Sequence, residues 1–216
     1  IIDQAENNIE FISIASRGEP LVNKNIDKML EYTEGKFLNL KLNTNASLLN
    51  EKFIHAILSG GVKTVVFSAD AAEEKLYAKL RVNGELKKVV KNIEMFNDIR
   101  QKSYPKSKII SRVSGVKFND EQSINTMDSI WKKMVDQVAF VDYNPWENIY
   151  DKDPSDISKP CSDLWRRMFI WWDGKVNPCD SDYKSKLVVG NINDNNISEL
   201  WKSDKYGEYR RIHISN

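Results

Sequence analysis

The chain is organised around the stretch Phe11-Ile-Ser-Ile-Ala-Ser-Arg17-Gly18-Glu19-Pro20. Its first half is apolar and β-prone, which is typical of a short buried strand. Its second half must turn sharply, because Gly18 permits unusual dihedrals and Pro20 fixes its own φ and keeps Glu19 extended. A carboxylate at the carboxyl end of a parallel strand lies where α/β folds bind ligands. A strand followed by an ordinary helix N-terminus explains the same ten residues without a ligand.

The composition indicates a globular protein and excludes several function classes. The 216 residues are enough for one large domain or two small ones, and 41% hydrophobic with 29% charged residues is ordinary for a globular chain. The net charge of +1 argues against a nucleic-acid-binding face. No apolar run reaches the roughly 20 residues of a membrane helix. We expect no signal sequence, because the chain opens directly into Asp, Gln, Glu and Asn residues. Two cysteines cannot form a secreted disulfide framework, so we expect a cytoplasmic protein.

Strand and helix patterns alternate about five times, so the expected fold is α/β. After the first strand, strands are predicted over 37–42, 62–67, 108–113 and 137–141, and helices over 23–34, 48–58, 73–80, 84–100 and 119–135. This rhythm requires parallel strands with crossover helices. Because right-handed crossovers are nearly obligatory, the strands are expected to curl into a sheet or a partial (β/α) barrel over residues 1–146.

Each predicted strand ends in a polar cluster. The clusters are Arg17/Glu19, Asn43/Asn45, Ser68/Asp70, Arg112/Ser114 and Asp142/Asn144. Any one of them could be a helix N-cap and nothing more, since Ser, Asp and Asn are favoured there. All five would project from one edge of the sheet, however, and that is the expected form of an active site in this architecture.

Residues 147–216 have a different texture and predict a second, loop-rich unit. Residues 150–160 read as a linker or long loop. Two short strands, 169–172 and 175–177, flank Asp173-Gly174, which is a strong hairpin signal. A short helix is expected over 196–202, and His213 near the end of the chain is expected in a frayed tail. Because a unit with so few aliphatic residues can form only a small core, we expect it to need further stabilisation, such as a metal or a disulfide.

Cys161 and Cys179 are the chain's only cysteines and both lie in this second unit. Thiolates are soft ligands that suit zinc or iron–sulfur clusters, but such sites usually need four ligands. Two buried free thiols are the simpler interpretation. Neither His55, in a predicted helix, nor His213 is expected to bind metal. Trp165, Trp171 and Trp172 could stack on a ligand or cover a small core.

Taken in order, four segments resemble the radical S-adenosylmethionine (radical SAM) enzymes. They are Gly18-Glu-Pro20, Leu42-Asn-Thr-Asn-Ala46, Phe67-Ser-Ala-Asp70 and Tyr77-Ala-Lys-Leu-Arg81-Val-Asn-Gly84. The second unit resembles the SPASM auxiliary-cluster domain. There the matching features are Cys161 and Cys179 spaced around Gly174, the segment 188–192, and the segment 197–201.

The chain departs from the family pattern in three ways. The CxxxCxxC loop that holds the catalytic cluster is absent, and we expect it before Ile1, because the chain opens without Met in what looks like a helix. The remaining SPASM cysteines are expected after Asn216. Arg17 stands where a glycine is common in the family.

The resemblance implies a set of cofactor-binding residues. Gly18, Glu19 and Pro20 would hold the ammonium of SAM. Asn43, Asn45, Ser68 and Asp70 would serve its ribose and carboxylate. Arg81 would pair with that carboxylate or act as a helix-surface cation. The backbone of 111–116, including Ser114, would line the adenine. Cys161 and Cys179 would ligate an auxiliary [4Fe–4S] cluster.

The resemblance also implies an activity, although no catalytic residue is identified. Reductive cleavage of SAM would give a 5′-deoxyadenosyl radical that abstracts hydrogen from a peptide, protein or small-molecule substrate. A flavodoxin or ferredoxin would supply the electron, and the 216 residues alone would be inactive without the catalytic cysteines. Two alternatives stay open. One is a cluster-less, non-catalytic descendant that binds a ligand or partner. The other is an unrelated α/β enzyme with Glu19, Asp70 and Asp142 as acid–base groups.

Overall fold

The computed structural model describes residues 1–15, 17–143, 149–151 and 160–215. Its contacts divide the chain into two units. One unit is Glu6–Tyr143, and the other combines Ile1–Ala5, which holds helix α1 (Ile2–Ala5), with the described residues from 149 onwards. The boundary predicted near residue 146 falls within 144–148, outside the described residues, so the domains 1–146 and 147–216 remain a prediction.

The larger unit is built on one five-stranded parallel sheet. Its strands pair in chain order: β1 (Phe11–Ile14), β2 (Asn39–Thr44), β3 (Val62–Ser68), β4 (Ile110–Lys117) and β5 (Gln137–Asp142). Every neighbouring pair is parallel. This arrangement confirms the predicted α/β partial barrel, because parallel neighbours in chain order require a crossover helix between each pair.

The crossover segments form the helical layer of this unit. Its helices are α2 (Ile26–Tyr32), α3 (Glu51–Ser59), α4 (Glu74–Leu80), α5 (Leu86–Ser103) and α6 (Ile124–Trp131). Helix α3 begins where the Asn50 side chain accepts a hydrogen bond from the Phe53 N–H (3.0 Å), and it ends at Gly60. No helix among the described residues is both long and apolar enough to cross a membrane.

Alternating strand residues form the core between sheet and helices. Leu40 and Leu42 of β2 and Phe67 of β3 are fully buried there. Phe67 packs edge-on against Phe96 of α5, with ring centroids 5.5 Å apart. Because side chains alternate along a strand, the intervening residues point to the opposite face of the sheet. We call that opposite side the open face.

Several predicted elements begin or end at other residues than expected, and β4 and α6 differ most. Strand β4 was expected to stop at residue 113 but continues to Lys117, since β5 pairs with it along its second half. Ser114 and Gly115 therefore lie inside the strand. The helix expected over 119–135 is only α6, because Ser123 caps it by accepting from the Thr126 N–H (3.4 Å), and tight turns follow Trp131.

The second unit contains a small antiparallel sheet and two helices. Strands β6 (Phe169–Ile170), β7 (Lys175–Asn177) and β8 (Gly190–Asn191) pair in that order, which confirms the hairpin across Asp173-Gly174. Helix α7 (Ile197–Trp201) begins with a capping box. Helix α8 (Asp204–Ser215) was not predicted, because it buries Tyr206 alone among its residues and gives little periodic signal.

Polar and cationic groups replace much of an apolar core in the second unit. Its buried apolar residues within the described segments are few: Ala5, Val176, Leu200 and Tyr206. The Arg210 guanidinium packs 4.2 Å from the ring centroids of Trp201 and Tyr206. It also donates to the carbonyl oxygens of Leu164 and Trp201, both at 3.0 Å. Arg210 thereby ties α8 to the rest of the unit.

Candidate functional site

The Glu19 carboxylate joins the loop after β1 to the end of β2. Its Oε1 accepts hydrogen bonds from the Thr44 hydroxyl (2.6 Å) and the Leu21 N–H (3.1 Å), and its Oε2 accepts one from the Asn45 N–H (2.7 Å). Gly18 precedes it with φ of 107°, and Pro20 opens a single turn of 3₁₀ helix. The predicted sharp turn is present, because only glycine adopts that φ readily.

The two asparagines at the end of β2 have different surroundings. Oδ1 of Asn45 accepts from the N–H (2.9 Å) and hydroxyl (2.6 Å) of Ser47, so it shapes its own turn. Asn43 lies on the open face, because its neighbours Leu42 and Thr44 are buried on the helical side. Its buried Oδ1 has no hydrogen-bond partner within the described segments. An acceptor in that state is suited to a ligand hydroxyl.

Ser68 and Ser114 lie side by side at the carboxyl edge of the sheet. They are register partners between β3 and β4, and the Ala69 N–H donates to the Ser114 carbonyl oxygen (2.9 Å). Neither hydroxyl bonds to another residue in the part of the chain that the structure describes. Two adjacent, unengaged hydroxyls can each donate to and accept from a ligand.

Asp70 and Arg81 form a largely buried ion pair next to these serines. Oδ2 of Asp70 lies 2.9 Å from Nε of Arg81, and Oδ1 accepts from the Val116 N–H (2.8 Å). The Asp70 side chain is only 8% exposed and that of Arg81 27%. The Nη groups of Arg81 make no hydrogen bond with any described residue. Asp70 therefore orients the guanidinium and leaves its amino groups available.

Gln122 also lies at this edge, although no sequence pattern pointed to it. It is 2% exposed, and its Nε2 donates to the carbonyl oxygens of Asp70 and Val116, both at 2.7 Å. It thus holds the end of β3 beside the end of β4. A single glutamine in a polar stretch carries no periodic or motif signal that would distinguish it.

The remaining predicted residues fall partly inside and partly outside this edge. Arg112 lies within β4 rather than after it, two residues before Ser114. Asp142 ends β5 as the register partner of Lys117. Asn144 and most of the predicted linker lie outside the described residues.

The two cysteines are both free, with Cys161 exposed and Cys179 partly exposed. The described residues contain no group of three or more His, Cys, Asp or Glu side chains arranged to hold a metal. His213 is not in a frayed tail as predicted. It lies in α8, and its Nε2 accepts a hydrogen bond from the Cys161 N–H (2.6 Å).

Three aromatic residues of the second unit, Tyr206, Trp171 and Trp172, have different surroundings. Burial raises the pKa of Tyr206 to about 12, against the opposing effect of Arg210, and the Cys179 thiol adds to the rise. Trp172 at the hairpin is 93% exposed, so it does not cover a core within the described segments. The Trp171 indole N–H donates to the Ser185 hydroxyl (3.0 Å).

Comparison with protein families decides the classification. A model described as the radical SAM superfamily matches residues 1–130. The chain belongs to the radical SAM superfamily. A second model, SPASM, described as an iron–sulfur cluster-binding domain, matches residues 161–216. Both parts of the resemblance drawn from the sequence are thereby confirmed.

Curated radical SAM relatives are similar over part of their length. The chain is 31% identical over 131 residues to a GTP 3′,8-cyclase of Clostridium botulinum, covering 59% of this chain and 39% of the relative. It is 41% identical over 39 residues to an S-adenosyl-L-methionine-dependent 2-deoxy-scyllo-inosamine dehydrogenase of Niallia circulans, covering 18% and 16%. The chain therefore spans well under half the length of these relatives.

Solved structures share the fold over nearly the whole chain. SuiB of Streptococcus suis bound to precursor peptide SuiA matches with a TM-score of 0.76 and 18% identity, covering 97% of this chain and 58% of that one. The anSMEcpe structure with bound AdoMet matches with a TM-score of 0.69 and 16% identity, covering 99% of this chain and 72% of that one. BtrN in complex with AdoMet and 2-DOIA matches with a TM-score of 0.57 and 19% identity, covering 98% of this chain and 70% of that one. At these identities the likeness establishes the fold.

Proposed function

We propose that this protein is a radical SAM enzyme whose sheet edge binds S-adenosylmethionine. The observation that carries the proposal is the set of unengaged polar groups there. The Ser68 and Ser114 hydroxyls and the Nη groups of Arg81 have no hydrogen-bond partner within the described segments, and Oδ1 of Asn43 is buried without one. These groups match the carboxylate and ribose hydroxyls of SAM in chemistry.

Each residue has a defined task in this proposal. Arg81, oriented by Asp70, and Ser68 donate to the methionyl carboxylate, a charge-assisted contact that fixes orientation. Asn43 and Ser114 serve the ribose and the adenine side. Glu19 already accepts three hydrogen bonds. A carboxylate offers about four lone-pair sites, so it can also accept from the methionyl ammonium while holding the loop of Gly18 and Pro20 in shape. Asn45 supports the site by donating its backbone N–H to Glu19, and Asp70 supports it by accepting from the Val116 N–H.

Bound SAM, reduced by an iron–sulfur cluster, would supply a 5′-deoxyadenosyl radical for hydrogen abstraction. The chain's own residues bind and orient SAM and exclude water, so that one C–H bond is presented. The chain holds only two cysteines, whereas a CxxxCxxC site needs three. We therefore expect the 216 residues alone not to cleave SAM, and cleavage by them would contradict this account.

Cys161 and Cys179 fit an auxiliary iron–sulfur cluster only in part. Both thiols are free and at least partly accessible, but two thiolates do not complete a ligand set. We infer that they are two of its ligands. Anaerobic reconstitution with iron and sulfide, followed by an iron count, tests this. Cys161→Ser and Cys179→Ser should each lower the iron retained per chain, and equal iron in both variants and the parent would exclude the assignment.

The substrate class follows from the family only in outline. SuiB is described as bound to a precursor peptide, and two other relatives are named as acting on GTP and on 2-deoxy-scyllo-inosamine. A peptide, protein or small molecule is accordingly proposed here, with a flavodoxin or ferredoxin as electron donor and a cytoplasmic location.

Calorimetric titration with SAM under anaerobic conditions tests the binding site directly. Arg81→Gln should weaken SAM binding about tenfold or more, since a hydrogen bond to a charged group contributes about 1.5–3 kcal/mol. Ser68→Ala should weaken it less. Lys79→Gln is the matched control, because Lys79 lies in the last turn of α4, which ends just before Arg81, and its side chain is 60% exposed. Equal affinities in all three variants would overturn the site. SAM binding without 5′-deoxyadenosine formation in a full-length protein loaded with its clusters would favour the non-catalytic descendant.

A further inference from the structure

Among the described strand residues, those on the open face of the sheet include cations and no carboxylate. The register places Lys41 of β2 beside Thr64 of β3, and Arg112 of β4 beside Val66 of β3 and Gln137 of β5. Partners in a parallel ladder point to the same face, so both cations lie on the open face. Asp142 is the only acidic residue within β1 to β5, and it lies on the helical side of the sheet, as Phe140 does.

Arg112 is held in a fixed orientation without a counter-ion. Its Nε donates to Oε1 of Gln137 (3.0 Å), and its Nη2 donates to the same oxygen. Gln137 is neutral, and among the described residues no carboxylate pairs with Arg112. The residue is partly buried. A half-buried guanidinium without an acidic partner, with Nη1 unengaged, is a ready site for an oxyanion, because arginine binds carboxylate and phosphate through parallel N–H groups.

Arg112 lies next to the proposed SAM residues along the same strand. Ser114 is two residues further on and points to the same face, which separates their Cα atoms by about 7 Å. Asn43 occupies the same cross-strand row as Arg112, with Val66 between them. An oxyanion bound by Arg112 would therefore lie beside bound SAM, on the side towards the amino ends of the strands.

We propose that Arg112, positioned by Gln137, binds a carboxylate or phosphate group of the substrate beside the SAM site. The assignment of the anion to a substrate rests on the proposed function, because only an enzyme at this site would have a substrate. The evidence for the anion site itself is the hydrogen bonding of Arg112 to Gln137 and the positive charge of the open face.

Anion titrations followed by NMR of the side-chain Nε–H of Arg112 test the proposal. The probes are inorganic phosphate and acetate at constant ionic strength, each with and without SAM. Saturable shifts of the Arg112 signal by either anion support the site, and the stronger probe identifies phosphate or carboxylate chemistry. Absence of a saturable shift with both probes overturns it.

Variants separate this inference from the proposed function. In Arg112→Gln the anion affinity, measured from the shifts of the Gln137 side-chain amide, should fall about tenfold, as expected for loss of a charge-assisted contact. Arg112→Lys should retain part of this affinity. Lys108→Gln, an exposed lysine just before β4, controls for net charge. SAM affinity should be unchanged in Arg112→Gln. Anion binding without SAM binding would refute the proposed function alone. SAM binding with identical anion responses in Arg112→Gln and the parent would refute this inference alone.

Discussion

The backbone N–H of Asn45 donates to Oε2 of Glu19 across 2.7 Å, and this bond joins two loops that are 26 residues apart in the chain. With the Thr44 hydroxyl on the other carboxylate oxygen, it fixes the first loop of the site against the end of β2. Glu19 is therefore a structural anchor of the edge whether or not it also contacts SAM.

Glu19→Gln should destabilise the larger unit by about 1–3 kcal/mol, because an amide N–H would then face the Asn45 N–H and leave a donor unsatisfied. SAM affinity should fall as well, since the loop loses its anchor. Urea unfolding and calorimetric titration measure the two effects. Glu10→Gln is the control, because Glu10 is exposed. If both variants unfold at the same urea concentration, Glu19 does not anchor the loop.

Gly115→Ala should disrupt the edge more strongly than its size suggests. A Cβ at residue 115 would lie 2.3 Å from the Ala69 carbonyl oxygen and 3.0 Å from the Phe140 ring. The first contact is with backbone, so β3 and β4 must separate there, at about 1–3 kcal/mol or more. We expect a lower melting temperature and weaker SAM binding.

Gly207→Ala is the control for that experiment, because the same substitution is expected not to lower stability there. Gly207 lies inside α8, where an added Cβ meets only the end of the Arg211 side chain at 3.4 Å. Alanine in a helix interior is favoured over glycine by about 1 kcal/mol, so this variant should be at least as stable as the parent. A Gly115→Ala variant that matches Gly207→Ala would show that the sheet edge tolerates the methyl group.

Asp182→Asn should loosen the loop after Cys179 in the second unit. The Asp182 side chain, in a residue that is 3% exposed, accepts from the backbone N–H groups of Lys186 (2.9 Å) and Leu187 (2.7 Å) and from the Tyr150 hydroxyl. Burial, together with this bond to Asp182, raises the pKa of Tyr150. With so few buried apolar residues in this unit, the carboxylate does much of the work of a core.

Hydrogen exchange measures the consequence at the two amides that Asp182 binds. In Asp182→Asn the exchange of the Lys186 and Leu187 amides should accelerate by about tenfold or more, the equivalent of losing about 1.5–3 kcal/mol of charge-assisted bonding. Asp194→Asn is the control, since Asp194 is exposed. Unchanged exchange at both amides would mean that the loop is held by other contacts.

The sequence predicted the parallel sheet and the polar residues at its carboxyl edge because strand ends and polar residues are local signals. Gly18, Ser68 and Asp70 all lie where the strand pattern put them. The pairing of Asp70 with Arg81, by contrast, depends on how α4 returns to the edge, and no local pattern encodes it. Gln122 was missed for the same reason. Helix α8 was missed because Arg210 and Tyr206 hold it by long-range contacts rather than by an apolar stripe.

The stability of the larger unit should depend on acid pH through Asp136. Burial raises the pKa of this carboxyl, but hydrogen bonds from the Ser111 N–H (2.8 Å), Arg100 (2.8 Å) and the Ser111 hydroxyl (2.9 Å) outweigh it and leave the pKa below the ordinary 3.8. A lowered folded-state pKa stabilises above the unfolded-state value, and this contribution disappears as pH falls through the lowered value.

The stability difference between the parent and Asp136→Asn should accordingly be about 1 kcal/mol near neutral pH and vanish at pH values below the lowered pKa. The figure is small because the Asp136 side chain is 44% exposed and water screens its charge. Urea unfolding from pH 7 down to pH 2 measures the difference. Asp98→Asn, at an exposed helix pair with Lys102, should show little difference at any pH. A difference for Asp136→Asn that persists unchanged at the lowest pH would mean that the side chain stabilises by shape or packing, because a carboxylate contribution must end once the group is protonated.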